Sequence, residues 1–394
     1  MIDIPNCGKY RLVVIKIGSA LLVDPADLTL RDKWLQALAA DIASAAPKPD
    51  GNSQDGNNKA LPTKFIIVTS GSIALGRSQL GWHEQKLKLD EKQAAAAIGQ
   101  SLLMEAYQHA LGEYGLKAAQ ILLTPQDTEQ RNRHLNARQA ILQLLEMNYI
   151  PVINENDTVT TAEIRYGDND RLAARVAAMV SADLLILLSD VDGLYTADPR
   201  LDKDAAHLPT IEVLDPSIMA MGGKAPKGNS SGGMETKLQA AKIAMQAGCD
   251  MIIMKGKQHH PLQTLTQNDS PSVRFSLFKS QSSPMQARKS WIAGTIHPKG
   301  SLTIDQGAWR ALQAGNSLLP SGVIAVTGDF DRGDALTLHV DGDDQDKIIG
   351  IGLSAYDDHQ TSLIMGHHSN EIPKILGFSG RPTLIHRDDL ALLD

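Results

Sequence analysis

Short β-branched runs, each closed by a glycine or serine turn and followed by a helical pattern, recur along this chain and set its fold class. Residues 11–17 (RLVVIKI) end on Gly18-Ser19-Ala20, and residues 64–68 (KFIIV) end on Thr69-Ser70-Gly71-Ser72. Amphipathic helices are expected between such runs. Residues 28–46 place Trp34, Leu35, Leu38 and Ile42 on one side, and the alanine-rich residues 91–114 suit close packing on a sheet. Further strands are expected at 118–123, 150–153, 184–188 and 251–254, with helices at 132–147 and 238–247. A repeating strand–turn–helix order gives an α/β domain, and in open α/β sheets ligands bind at the carboxyl ends of the strands. Lys16, Gly18 and the 69–72 turn fall at that edge. Lys16 is then either a lysine that ends a strand in solvent or a site cation. The second turn, whose N–H groups open toward an anion, adds weight to the site reading.

The densest polar stretch runs from Asn154 to Asp170, ahead of a helical pattern with Leu172, Val176 and Val180 on one face. It holds five carboxylates, three side-chain amides and one arginine. Short Asp and Asn side chains can be held rigidly and aimed. Carboxylates suit an ammonium group and amide N–H groups suit a carboxylate, and the natural ligand bearing both is an amino acid. The alternative is a solvated turn followed by a helix cap from Asp168 or Asn169. A calcium loop is not supported, because its full ligand spacing is missing.

The 184–188 run (LLILL) leads into Ser189-Asp190-Val191-Asp192-Gly193. Asp192-Gly193 suits a turn, which leaves Asp190, nearer the strand end, as the better site candidate. The loop 219–233 carries Lys224 and Lys227, and Gly232-Gly233 then open a helix with Lys237 one turn in. Amides, helix dipole and ammonium together make a phosphate cradle. No GxxxxGK[ST] match exists, which argues against a Walker-type NTPase. Residues 47–62 (PKPDGNSQDGNNKALP) read as a flexible excursion without chemistry.

At 394 residues two domains are expected. Beyond about residue 284 the texture changes. Short apolar segments at 292–295, 301–304, 323–327, 335–339 and 348–353, separated by Gly/Asp turns, predict a small β-rich domain with one helix at 306–314. The boundaries read 1–270, a linker at 271–284, and 285–394. A net charge of −7 weighs against general attraction to nucleic acid or an anionic membrane. The two cysteines, Cys7 and Cys249, lack metal-site spacing and read as free thiols in a reducing compartment. The N-terminus has no charged region followed by an apolar segment, and no run of about 18 apolar residues occurs, so a cytoplasmic protein is expected.

Taken together, these stretches resemble the amino acid kinase family, and within it the glutamate 5-kinases. The resemblance is carried by VIKIGS (14–19), VTSGSIALGR (68–77), PVINENDTV (151–159), GDND (167–170), LLSDVDGLYTADPR (187–200) and SGGMETKLQAA (231–241). WIAG (291–294), VTGDFDRGD (326–334), GHHS (366–369) and HRDD (386–389) resemble the PUA domain that bacterial members append. The resemblance implies an αβα sandwich with a mainly parallel central sheet, followed by a small β-rich PUA-like domain. It implies ATP-dependent phosphorylation of the L-glutamate side-chain carboxylate to glutamyl 5-phosphate, the first step of proline synthesis. It also implies magnesium (without naming its ligands), homo-oligomers such as dimers or tetramers, and feedback inhibition by proline.

Carried over by motif, Lys16 and Lys237 bracket the transferring phosphoryl group and Gly18 offers it an N–H. Ser70, Asp157 and Asn169 hold glutamate, with Asp168 and Asp170 close by. Ser189 and Asp190 lie in the nucleotide site, Asp190 also positioning the lysines. Ser231, Gly232, Gly233, Met234, Glu235, Thr236 and Lys237 line ATP. The sequence departs from many members at Ser19-Ala20 (Thr-Ser there), at Ser189 (Thr there) and in the 47–62 insertion. Both substitutions keep a hydroxyl, so fine tuning is expected from them.

Rival kinases of the same fold act on N-acylated amino acids, aspartate or nucleotides; an N-acylated substrate lacks the ammonium that the acidic loop would meet. An RNA-binding protein acting through the PUA-like domain is the alternative from another class. From Gln286 onward, nine basic against fourteen acidic residues leave −5, which weighs against it because phosphate contacts supply most non-specific affinity.

Overall fold

The computed structural model describes residues 10–46, 63–160, 169–223, 233–266, 274–294, 297–342 and 347–393. Cys7, the 47–62 insertion, Asp168, Lys224, Lys227, Ser231 and Gly232 lie outside them. The chain divides into two compact units, Met1–Pro284 and Met285–Asp394.

The strands of the first unit are β1 (Leu12–Ile17), β2 (Lys64–Val68), β3 (Lys117–Leu123), β4 (Tyr149–Glu155), β5 (Leu184–Ser189), β6 (Leu194–Tyr195), β7 (His207–Leu208), β8 (Thr210–Ile211), β9 (Asp250–Lys255) and β10 (Phe275–Phe278). Its helices are α1 (Ser19–Leu22), α2 (Asp32–Ala45), α3 (Ser72–Gln79), α4 (Leu89–Gly112), α5 (Pro125–Glu129), α6 (Arg131–Glu146), α7 (Asn169–Val180), α8 (Pro216–Ala220), α9 (Met234–Gln246) and α10 (Gln263–Thr266). Eight strands form one sheet in the order β3-β4-β2-β1-β5-β9-β10-β8. Neighbours from β3 to β9 run parallel. β10 turns antiparallel to β9.

The strands read as continuous apolar runs because both faces of the sheet are covered. Val13, Ile15, Ile17, Phe65, Ile67 and Ile186 point into a core shared with α2 and α4. Val14, Ile66, Val68, Leu185 and Leu187 alternate to the other face, under α6, α7 and α9. This is the αβα sandwich. Side-chain alternation also places Lys16 on the same face as Val14, as the last residue of that row, beside the α7–α9 layer.

One boundary differs from the sequence reading. The stretch 271–284 was expected as a linker, yet its residues Phe275–Phe278 are β10, with Phe275↔Met254 and Phe278↔Met251 in register. Four residues suffice for a strand when a buried neighbour supplies the ladder, and Phe278 is fully buried.

The second unit has a sheet ordered β12-β11-β13-β14-β15, built from β11 (Gly300–Ile304), β12 (Val323–Gly328), β13 (Ala335–Val340), β14 (Gly350–Leu353) and β15 (Leu390–Leu392). Its helices are α11 (Pro284–Ala293), α12 (Gln306–Gln313), α13 (Asp358–Ile364) and α14 (Ile372–Leu376). The β-rich character and the 306–314 helix hold. Two expectations do not: the 292–295 segment is not a strand, since Ile292 and Ala293 end α11, and α12 is not the sole helix.

Candidate active site

The carboxyl ends of β1, β2, β4 and β5 and the amino ends of α7 and α9 converge on one edge of the sheet. Lys16 ends the Val14 face of β1, Asp170 sits in the first turn of α7, and Lys237 lies one turn into α9. Lys16 Nζ is 2.5 Å from Asp170 Oδ1, and Lys237 Nζ donates to Asp170 Oδ2 at 2.9 Å. Both lysines are 7% exposed and Asp170 is 1% exposed. Burial opposes ionisation of Asp170, but the two ammonium groups overcome it and hold the carboxyl well below the usual carboxylate range. One buried anion thus holds two buried cations at the strand ends.

The carboxylate between the lysines is Asp170, which the sequence reading placed only near glutamate. Asp190 accepts a hydrogen bond from Ser189 Oγ at 3.1 Å. The physical reason is the helix start: α7 begins at Asn169, directly over β1, so its first-turn acid meets the strand-end lysine.

Beside the lysines lies a chain of side-chain amides. Asn169 Nδ2 donates to Thr69 O at 2.5 Å, Ser70 Oγ at 2.7 Å and Asn154 Oδ1 at 3.0 Å. Asn154 Oδ1 also accepts from Glu155 N at 2.9 Å, and Asn154 Nδ2 donates to Gln100 Oε1 on α4 at 2.8 Å. Thr69 Oγ1 pairs with Tyr107 OH, another α4 residue, at 2.8 Å. Burial pushes the Tyr107 phenol above its usual range, with the Thr69 bond acting against it, so the hydroxyl stays neutral. Ser70 and Asn169, predicted to act together, are therefore in contact. Asp157 follows β4 on the same loop, its N–H bonded to Glu155 O. Thr69, Gln100, Tyr107 and Asn154 were not singled out from sequence. A glutamine and a tyrosine on the sheet-facing side of an apolar helix were the available signal.

The elements suited to an anion are the β1–α1 turn and the start of α9. A Cβ on Gly18 would stand 3.9 Å from Lys16 Nζ, so this turn borders the ammonium group directly. Gly233 caps α9, and Met234, Glu235, Thr236 and Lys237 form its first turn, with Thr236 Oγ1 donating to Gly233 O at 2.8 Å. A 13-residue helix aimed amino end first, with a buried lysine in its first turn, suits an anion. Among the described residues no three His, Cys, Asp or Glu side chains cluster for a metal. Magnesium is usually held by one or two carboxylates together with substrate phosphates and waters, so it does not require such a cluster.

Family comparison agrees with this geometry. The model of the amino acid kinase family matches residues 11–255, and that of the PUA domain matches residues 300–376. A glutamate 5-kinase of Gluconobacter oxydans (strain 621H) is 51% identical over 388 residues, covering 98% of this chain and 97% of its own. One from Rhodopseudomonas palustris (strain BisA53) is 52% identical over 390 residues, covering 99% and 98%. Among solved structures, a UMP kinase from Ureaplasma parvum aligns with 68% of this chain and 99% of its own at 14% identity, with a TM-score of 0.45. With the lysine–aspartate–lysine cluster at the sheet edge and both family models in place, the chain belongs to the amino acid kinase family, among its PUA-bearing glutamate 5-kinases.

Proposed function

We propose that this chain transfers the γ-phosphoryl group of ATP to the side-chain carboxylate of L-glutamate, giving L-glutamyl 5-phosphate and ADP, the opening step of proline synthesis. The observation that carries the reading is the pair of buried lysines held on Asp170, next to the Asn169–Ser70 amide network. The glutamate carboxylate has a pKa of roughly 4.3 and is already an anion at neutral pH, so no base is needed. One of its oxygens forms a bond to the γ-phosphorus as the bond to the β–γ bridging oxygen breaks, and that electron pair leaves on ADP. The task of the protein is to bring two anions together and to neutralise charge on the phosphoryl oxygens. Lys16 and Lys237 meet those oxygens from positions preset by Asp170; Gly18 and residues 233–237 supply N–H groups. Magnesium, when bound, shields and orients the phosphates. Ser189 and Asp190 border the nucleotide, and Ser70, Asp157 and Asn169 hold glutamate.

We further infer homo-oligomers, inhibition by proline and a cytoplasmic location, supported by the resemblance. No helix of the described residues is long and apolar enough to cross a membrane. The PUA domain serves assembly or regulation on this reading, its acidic balance giving no general attraction to RNA.

The test is ADP release from purified protein with ATP, magnesium and, in turn, glutamate, N-acetylglutamate, aspartate and UMP. Release with glutamate alone, with product trapped as a hydroxamate by hydroxylamine, is expected. Release only with another acceptor would reassign the amide network while leaving the lysine roles intact.

A further inference from the structure

The amide chain beside the lysines has a direction that can be read from its two ends. Glu155 N is a backbone donor, so the atom of Asn154 that faces it must be the carbonyl oxygen. Asn154 therefore turns its NH2 group toward Gln100, which must answer with Oε1. At the other end Thr69 O is a backbone acceptor, so Asn169 must present its NH2 group there, and the same group reaches Asn154 Oδ1. The orientation of all three amides follows from chemistry rather than from a choice between nitrogen and oxygen. It leaves Asn169 Oδ1, an acceptor, as the amide atom not engaged by any described residue.

Gln100 ends this chain. It is 8% exposed, and its Nε2 is buried without an acceptor among the described residues. A buried unmade hydrogen bond costs about 1–3 kcal/mol, a penalty an apolar residue in that place would not carry. The carbonyl oxygen of Gln100 is the atom with a use. The adjacent Gly99 lets α4 come near enough to deliver it, since a Cβ there would lie 1.8 Å from Ser72 O.

We propose that Gln100 is a positioning residue that sets substrate specificity: by accepting from Asn154 it locks the Gln100–Asn154–Asn169 relay so that Asn169 offers a carbonyl oxygen to the α-ammonium group of the substrate. An ammonium group is a donor only and matches that oxygen. This inference rests on the amino-acid kinase reading above. Without the Gln100 acceptor, the Asn154 NH2 keeps only the longer bond to Ser72 Oγ at 3.3 Å, so Asn154 is held less firmly and Asn169, which donates to its Oδ1, is placed less precisely.

The test compares wild type, Gln100→Met and Gln100→Glu, using glutamate as substrate and glutarate, which lacks the ammonium group, as competitor. The readout is the ratio of the glutarate inhibition constant to the glutamate KM, which does not depend on the fraction of protein folded. Gln100→Met should lower the ratio about tenfold while the KM for ATP stays within about threefold. Gln100→Glu, whose carboxyl keeps an acceptor oxygen whether ionised or not, should hold the ratio within about threefold of wild type. An unchanged ratio in Gln100→Met overturns the proposal. Should that variant not fold, a ratio in Gln100→Glu that falls by about tenfold overturns it as well. Failure of wild type to use glutamate at all would instead count against the amino-acid kinase reading, which separates the two.

Discussion

Replacing Asp170 with asparagine removes an anion that holds two buried lysines, while keeping the shape of the side chain. Breaking a buried ion pair by removing one partner costs about 3–5 kcal/mol, because the remaining charge has no compensation. Here two cations are left, each 7% exposed, so the unliganded protein should lose stability toward the upper end of that range. Turnover suffers separately. Removing one preorganised donor from a transition state typically costs about 10²–10³ in kcat, and Asp170→Asn misplaces two, so a loss of at least about a hundredfold is expected. The pH behaviour follows in sign. In wild type the depressed Asp170 pKa means that its stabilising contribution is present above the unfolded value of about 3.9 and is lost only as pH falls through the lower folded value. Wild type should therefore show no change from this group at neutral or alkaline pH. Steady-state kinetics and chemical unfolding at neutral pH measure the two losses. A variant that keeps kcat within about threefold and unfolds like wild type would refute the assignment of Asp170 as the anchor of the lysines.

Two shorter predictions address the neighbouring elements. Lys237→Ala should lower kcat by about a hundredfold or more while the glutamate KM moves by less than about threefold, since the ammonium acts on the phosphoryl oxygens; initial-rate kinetics distinguish the two parameters. Gly99→Ala places a Cβ 1.8 Å from the Ser72 carbonyl oxygen, a backbone atom that cannot give way easily. The overpacking should cost about 1–3 kcal/mol or more in thermal unfolding, and raise the glutamate KM because Gln100 and Tyr107 ride on the same helix.

The first unit was legible where local pattern and burial agree. Apolar runs as dense as RLVVIKI, KFIIV and LLILL have no stable place other than a sheet covered on both faces, and the turns after them mark its functional edge. β10 was missed because four residues that pair antiparallel with β9 carry no local sign of their partner. Ile292 and Ala293 misled for a related reason: two adjacent apolar residues fit either period, and α11 decides between them through contacts outside the segment. α13 had a readable start, since Asp357 accepts from Gln360 N, an Asp cap three residues ahead of its partner. Within the site, Lys16, Lys237, Ser70 and Asn169 could be named from motif. That Asp170 bridges the lysines could not, because the contact depends on α7 crossing over the end of β1. Gln100 and Asn154 stayed hidden because a buried amide is distinguished from a surface one only by what surrounds it.

The meeting of Lys16 and Lys237 on Asp170 has a consequence for how the nascent chain matures. β1 is the first strand made and occupies the middle of the sheet, between β2 and β5, so the frame can assemble around it in order of synthesis. Lys237, however, lies 67 residues beyond Asp170. At about 5–20 residues per second, roughly 3 to 13 s separate the emergence of the aspartate from that of its second lysine. During that interval the aspartate has only Lys16 from this pair. Phosphate recognition on this reading arrives late and all at once, when α9 docks, so an incomplete chain on the ribosome has no means to consume ATP.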